Sequence, residues 1–179
     1  AFCILGQFVD LNDMDFIDSL KGIAVGDNGT ILRTVDGGKK WEKQNSGIIG
    51  NLFAVAVVNS TTCYVGGDMG ILLRSQDFGS SWAQASPPTG GKPIKAIFFI
   101  NATTGWVAGG GGAIYKTTDG ATTWSNQSVG NTINWEDIQF LSPTYGRVVG
   151  SGGEVWITFG GGSSWSKQTT GIVSGLVSV

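Results

Sequence analysis

The sequence predicts an all-β chain: a β-propeller, or an open segment of one, built from four-stranded antiparallel blades that repeat about every 41 residues. Three observations predict it. The string TVDGGKKW (34–41) recurs as SQDFGSSW (75–82), TTDGATTW (117–124) and TFGGGSSW (158–165), so Trp41, Trp82, Trp124 and Trp165 stand 41, 42 and 41 residues apart. The segments 11–41, 52–82, 94–124 and 135–165 align without a gap, the extra residue falling in the linker 83–93 with its Pro87, Pro88, Gly90 and Gly91. Thirty glycines and seven tryptophans against 13% charged residues describe tight turns and large packed side chains. A helical repeat of similar length fails because each unit is cut by glycine into stretches too short for helices.

The repeat units run 11–51, 52–93, 94–134 and 135–175, with partial blades at 1–10 and 176–179. In each unit strand A carries apolar residues in alternation: Met14 and Phe16, Val55 and Val57, Ile97 and Phe99, Ile138 and Phe140. That period predicts a half-buried strand with those residues on its core face. A polar turn follows, as in NSTT (59–62) and NATT (101–104). Strand B is a short apolar run closing on Gly26, Gly67, Gly109 and Gly150, and a second glycine (Gly29, Gly70, Gly112, Gly153) makes a tight hairpin into strand C. The tryptophan-bearing string is the C–D hairpin, and the residues after it form strand D. Gly6, Gly47 and Gly171 share a register, so 1–10 reads as a leading D strand and LVSV (176–179) as the start of a fifth strand A.

The recurring pattern S/T-x-D-x-G-x-x-W resembles the Asp-box, or BNR repeat, of sialidases and other propellers. Its members here are Thr34, Asp36, Gly38 and Trp41; Ser75, Asp77, Gly79 and Trp82; Thr117, Asp119 and Trp124; Thr158, Gly162 and Trp165. The physics is local. The aspartate accepts backbone N–H groups ahead of it, glycine permits a left-handed backbone, and the indole folds back to pack between sheets. A residue set repeated once per blade reads as a structural staple, not as catalytic machinery. Ala121 replaces the boxed glycine in unit 3, and Gly160 replaces the aspartate in unit 4, so that turn must be held another way.

The longer pattern, best seen in GIAVGDNGTILRTVDGGKKWEKQNSG (22–47), resembles the photosystem II assembly and stability factor family, the Ycf48-like propellers, over about nine-tenths of the chain. The resemblance implies a non-enzymatic scaffold that binds protein partners on the lumenal or periplasmic side of a photosynthetic membrane. It implies a seven-bladed ring with an arginine-rich patch. Arg33, Arg74 and Lys116 hold one position in successive units, and unit 4 breaks the row with Ile157. The row reads either as solvated strand ends or as a docking patch for an acidic partner segment.

Other classes are narrowed by composition. A net charge of −2 without a Lys/Arg cluster argues against nucleic acid, and no stretch is apolar enough to span a bilayer as a helix. Histidine is absent and Cys3 and Cys63 are the only thiols, so no metal or cofactor is expected. Neither motif nor spacing supports a Cys3–Cys63 disulfide. Asp36, Asp77 and Asp119 sit on separate blades and cannot share a calcium ion. The chain opens at Ala1 without a signal-like region, which reads as a processed form or an excised segment; the extracytoplasmic setting is what the family resemblance implies.

A sialidase needs three converging arginines and a tyrosine nucleophile with its glutamate. Arg33, Arg74 and Arg147 do not suit that geometry, and Tyr64, Tyr115 and Tyr145 have no matching glutamate. A xyloglucanase-type glycosidase would need two aspartates across a cleft, for which Asp13 with Asp137, or Asp15, are the candidates. A secreted adhesion or glycan-binding surface module is the main alternative to an assembly scaffold. Trp106, Trp135 and Trp156 lie outside the boxes and read as strand core or as stacking surfaces, and the sequons at Asn28, Asn59, Asn101 and Asn126 fall where turn residues collect. Four units in an open arc leave apolar blade faces uncovered, so the chain is expected to work within a longer protein or a larger assembly.

Overall fold

Apolar alternation and glycine punctuation resolve into eighteen short strands among the described residues. The computed structural model describes residues 2–4, 7–86, 88–171 and 174–178, with side chains from residue 9 onward. Four antiparallel sheets of four strands follow one another. Blade 1 is β3 (Leu11–Phe16), β4 (Gly22–Gly26), β5 (Thr30–Thr34) and β6 (Glu42–Gln44). Blade 2 is β7 (Leu52–Val57), β8 (Cys63–Gly67), β9 (Leu72–Ser75) and β10 (Ala83–Gln84). Blade 3 is β11 (Ile94–Phe99), β12 (Gly105–Gly109), β13 (Ile114–Thr117) and β14 (Ser125–Asn126). Blade 4 is β15 (Trp135–Phe140), β16 (Gly146–Gly150), β17 (Glu154–Thr158) and β18 (Ser166–Gln168). The innermost strands pack in sequence, β3 on β7, β7 on β11 and β11 on β15. The chain is thus a run of propeller blades.

The same local chemistry recurs in every blade. Each inner strand slips register once against its neighbour, between Leu11 and Asp13, Leu52 and Ala54, Ile94 and Ala96, and Trp135 and Asp137. Such a bulge sharpens the local twist. The hairpin from the second to the third strand carries two left-handed residues: Asn28 and Gly29, Met69 and Gly70, Gly111 and Gly112, Gly152 and Gly153. The glycine that closes the second strand is needed for a different reason. A Cβ on Gly26, Gly67, Gly109 or Gly150 would lie 2.0–2.4 Å from a backbone carbonyl oxygen of the segment entering the same blade.

The core lies between blades, not within them. Ile23, Val25 and Ile31 of blade 1 bury against Leu52, Val55, Val65 and Phe78 of blade 2, and Trp106 and Ile114 of blade 3 against Trp135, Ile138 and Phe140 of blade 4. This placement corrects the expectation for the first inner strand. Met14 is 60% and Phe16 38% exposed, whereas their counterparts Val55 and Phe140 are 5% and 3% exposed. The apolar alternation is real, but the face it marks is buried only where a preceding blade covers it.

Both chain ends also differ from expectation. The leading segment is a hairpin, β1 (Phe2–Ile4) paired with β2 (Gln7–Val9), and not a lone D strand. The trailing residues 174–178 form no strand, although Leu176 N–H donates to the Gly150 carbonyl at 3.2 Å and Ser178 Oγ to the Asp137 carboxylate at 3.1 Å. The Cys3 side chain, Gly6 and Val179 lie outside the described residues. Cys63 is a free, buried thiol, pushed up to about 12 by burial.

Gly109→Ala would drive its methyl into the Pro93 carbonyl, a backbone atom that cannot swing aside. The expected cost is about 1–3 kcal/mol, read as a lower denaturant midpoint with an unchanged slope. A variant as stable as the parent would show that the close approach is not a constraint.

Candidate functional site

The Asp-boxes of blades 1, 2 and 3 are closed rings of hydrogen bonds. Thr34 Oγ1 donates to Asp36 at 2.9 Å and accepts the Gly38 N–H at 2.9 Å, while Asp36 accepts the Lys40 N–H at 3.0 Å. Ser75 and Asp77 repeat the arrangement with Gly79 and Ser81, and Thr117 and Asp119 with Ala121 and Thr123. Ser81 and Thr123 add hydroxyl donors at 2.6 Å. These donors hold Asp77 and Asp119 down at about 2, with Ser81 and Thr123 as the largest causes, and the Lys40 N–H leads in lowering Asp36. In blade 4 Thr158 still accepts from Gly160 and Gly162, but no carboxylate receives the Ser164 N–H. Ala121 holds its glycine-type conformation at φ 64°.

Two of the box tryptophans pack against phenylalanine rings. Trp41 meets Phe16 and Trp165 meets Phe140 edge-to-face at 5.9 and 6.0 Å. Trp82 Nε1 donates to Gly79, but the indole N–H groups of Trp124 and Trp165 are buried without a partner.

A second pattern joins the blades. The fourth box position, Gly37, Phe78, Gly120 or Gly161, donates its N–H to a carbonyl in the inner hairpin turn of its own blade: Leu20, Thr61, Thr103 or Thr144. In blades 2, 3 and 4 its carbonyl then accepts a side chain from the preceding blade. Arg33 Nε donates to Phe78 at 2.8 Å, Tyr64 Oη to Gly120 at 2.7 Å and Trp106 Nε1 to Gly161 at 3.2 Å. The donors come from one cross-strand pair per blade: Ile23 opposite Arg33, Tyr64 opposite Arg74, Trp106 opposite Lys116. Where the second strand supplies a donor, it takes the carbonyl; where it supplies Ile23, the arginine across the ladder does so.

The predicted basic row is therefore seated at successive blade junctions. Arg33 lies over the Phe78 ring at 5.4 Å, Arg74 over Tyr64 at 5.8 Å and Lys116 over Trp106 at 5.1 Å. All three are half-buried, so they are not simply solvated strand ends. Arg74 differs in that its Nε is buried without a partner, Tyr64 having taken the Gly120 carbonyl. It opens onto a groove of about 570 Å³ between blades 2 and 3, with Asp77, Trp82, Gln84 and Thr122 around it. Sequence reasoning found the row but missed Tyr64 and Trp106 as its junction partners; the signal available was their place directly across the ladder from each cation.

The candidate acids come together elsewhere. Asp13, Asp15 and Asp137 line a central cavity of about 450 Å³ walled by the inner strands of all four blades. Burial raises Asp13 to about 6, against N–H donation from Val55 and Met14, and burial also raises Asp15. Asp13 and Asp15 each accept a backbone N–H of blade 2, from Val55 at 2.8 Å and Val57 at 2.7 Å. That is a clasp between inner strands. Of the remaining candidates, Trp106 and Trp135 are fully buried, and Trp156 is half-buried with its indole donating to Glu154. Asn59 and Asn101 cap their turns by accepting N–H groups two and three residues ahead.

A family model described as photosynthesis system II assembly factor YCF48 matches residues 5–136. Among solved structures, the chain is similar to YCF48 bound to a D1 peptide, at 17% identity and a TM-score of 0.61 over 90% of this chain and 82% of that one. It is similar to YCF48 from Cyanidioschyzon merolae, at 14% identity and 0.60 over 93% and 87%. It is also similar to a GH74 enzyme of Niastella koreensis, at 18% identity and 0.68 over 88% of this chain but 30% of that one. At such identities these likenesses show the fold alone. A comparison with curated proteins finds no match.

The box and cavity acids pull stability in opposite directions with pH. Asp77 and Asp119 titrate lower when folded than the ordinary carboxylate value of 3.8, so their contribution is full above that value and is lost as pH falls toward 2. Asp13 titrates higher when folded, so its contribution favours the fold below 3.8 and is lost as pH rises through about 6. Thermal unfolding followed from pH 7 to 2 should show both limbs. Asp13→Asn should flatten the upper one, and Gly160→Asp should raise the midpoint at pH 7 by giving the fourth box its carboxylate. Unchanged profiles in both variants would refute the assignment.

Proposed function

The chain belongs to the photosystem II assembly factor YCF48 family, and from that premise we propose that it is a non-enzymatic, protein-binding propeller that acts as an assembly scaffold outside the cytoplasm. The observation that carries the reading is the family match across residues 5–136, about three-quarters of the chain. The structure adds the chemistry. Arg33, Arg74 and Lys116 stand on successive junctions, held by aromatic rings, and Arg74 lines an open groove. A pre-positioned guanidinium suits a carboxylate on a peptide segment. The YCF48 structure with a D1 peptide supports a peptide partner for this chain too. Among the described residues no helix is long and apolar enough to cross a membrane, so a membrane complex would be met through docking.

Binding of a D1 peptide by calorimetry, at two salt concentrations, tests this. Arg74→Gln with Lys116→Gln should weaken binding by roughly 3- to 10-fold, on the order of 1 kcal/mol, and reduce its salt dependence. Arg33 is left intact because it holds the first junction. Unaltered affinity and salt slope would remove the basic row from the reading, and recovery of surface glycans instead of membrane proteins from native membranes would favour the adhesion module.

A glycosidase reading has one observation in its favour, the Asp13, Asp15 and Asp137 cluster in the cavity, together with the GH74 likeness in fold. Against it, Asp13 and Asp15 are each engaged by blade 2 backbone. Purified protein is expected to release no reducing sugar from xyloglucan. Turnover that Asp13→Asn or Asp137→Asn abolishes would establish an enzyme.

A further inference from the structure

Three boxes supply their own carboxylate, and the fourth keeps the donors without it. In blades 2 and 3 the aspartate receives the hydroxyl of the first box residue, and both the N–H and the hydroxyl of the residue four places ahead. Ser75 and Ser81 give these to Asp77, and Thr117 and Thr123 to Asp119. Blade 4 presents the same set. Thr158 Oγ1 still accepts the Gly160 and Gly162 N–H groups at 3.1 and 3.0 Å. Gly161 and Gly162 hold the left-handed pair found in every box. Ser164 stands where Ser81 and Thr123 stand. Gly160, however, has no side chain to fill the cradle. A Cβ placed on it would meet the Ser163 hydroxyl, which a rotamer change turns aside, and then only Ser163 Cβ at 3.8 Å and Ser164 Oγ at 3.9 Å. Lys116 of blade 3 adds positive charge, its Nζ standing 3.0 Å from the place of a Cβ on Gly161.

We propose that the blade 4 box is a carboxylate-binding site, which takes an aspartate or glutamate side chain from an acidic segment of a partner protein and completes the ring in trans. The precedent lies within the chain. In blades 2 and 3 the same donors grip a carboxylate at 2.6–2.9 Å. They hold Asp77 and Asp119 charged down to about 2, Ser81 and Thr123 being the largest causes. Donors converging on one point favour a charged acceptor over a neutral one. Access to the cradle is a property of the box position itself, since Asp77 and Asp119 are exposed although another blade follows each. The second box position is likewise exposed in all four blades, as Val35, Gln76, Thr118 and Phe159. Phe159 is 72% exposed and stacks on Tyr145 at 5.1 Å. It forms an apolar shelf beside the cradle, so the matching segment carries an apolar residue next to its acid. The inference rests on the protein-binding reading for its partner but makes no use of Arg74.

Titration of the isotope-labelled full chain with the N-acetyl, N-methylamide derivative of aspartate, followed at the Ser163 and Ser164 amides by NMR, tests it. A saturable shift is expected with this probe and none with its asparagine counterpart. Gly160→Asp supplies the carboxylate in cis and should weaken the titration about tenfold or more, whereas Ser164→Ala removes one hydroxyl donor and should weaken it roughly 3- to 10-fold. Gly160→Asn fills the cradle without charge and should block as well, which separates occupancy from repulsion. A short peptide that pairs the aspartate with leucine should bind more tightly than the derivative, and Phe159→Ala should cancel that gain. Thermal melts check that every variant remains folded. No saturable shift, an equal response to the asparagine probe or to inorganic phosphate, undiminished binding by Gly160→Asp, or a peptide that gains nothing would each overturn the proposal. The lone carboxylate of the probe and the Ser164 readout keep this outcome separate from the D1-peptide measurement, which reads the basic row.

Discussion

A four-stranded blade has two apolar faces and cannot bury either by itself. Everything else in this structure answers to that constraint. The core is assembled at the seams, where Ile23, Val25 and Ile31 meet Leu52 and Val55, and where Trp106 meets Phe140. The glycines that close the second strands let incoming backbone approach, the bulges set the twist, and the boxes pin the outer hairpin so that its backbone can be presented to a neighbour. The seams and the basic row consequently share residues. Arg33 is both a cation in a basic row and the donor that ties blade 1 to blade 2.

Much of this was legible in the sequence because the repeat is gapless. The four-strand order, the hairpin positions and the boxes follow from spacing, turn residues and period-two alternation. Burial was less legible. Met14 and Val55 occupy equivalent positions in equivalent strands, yet one is exposed and the other buried, because burial is set by a blade that precedes and not by the strand itself. At the leading end, repeat register places a strand but does not say what it pairs with, and Phe2–Ile4 pairs with Gln7–Val9.

The site was legible in part. The row of Arg33, Arg74 and Lys116 stands out as a column of like charge. Its partners do not, because isoleucine, tyrosine, tryptophan and arginine share one position and have no common chemistry as letters. What unites Tyr64 and Trp106 is a bond to a carbonyl, which no alignment of side chains displays. The acids of the cavity show the converse. Asp13, Asp15 and Asp137 look like a catalytic set when read as residues, but Asp13 and Asp15 serve as clasps on neighbouring backbone.

That the seam's acceptor is a main-chain oxygen has an evolutionary consequence. A backbone carbonyl is present whatever residue sits there, and Phe78 serves as well as Gly120 or Gly161. Mutation can therefore alter one side of a seam without erasing its acceptor, and several donors suffice on the other. Blades joined by such a grammar can be duplicated, lost or exchanged while each new neighbour still finds its bond, so the number of blades is free to drift long after their sequences have diverged.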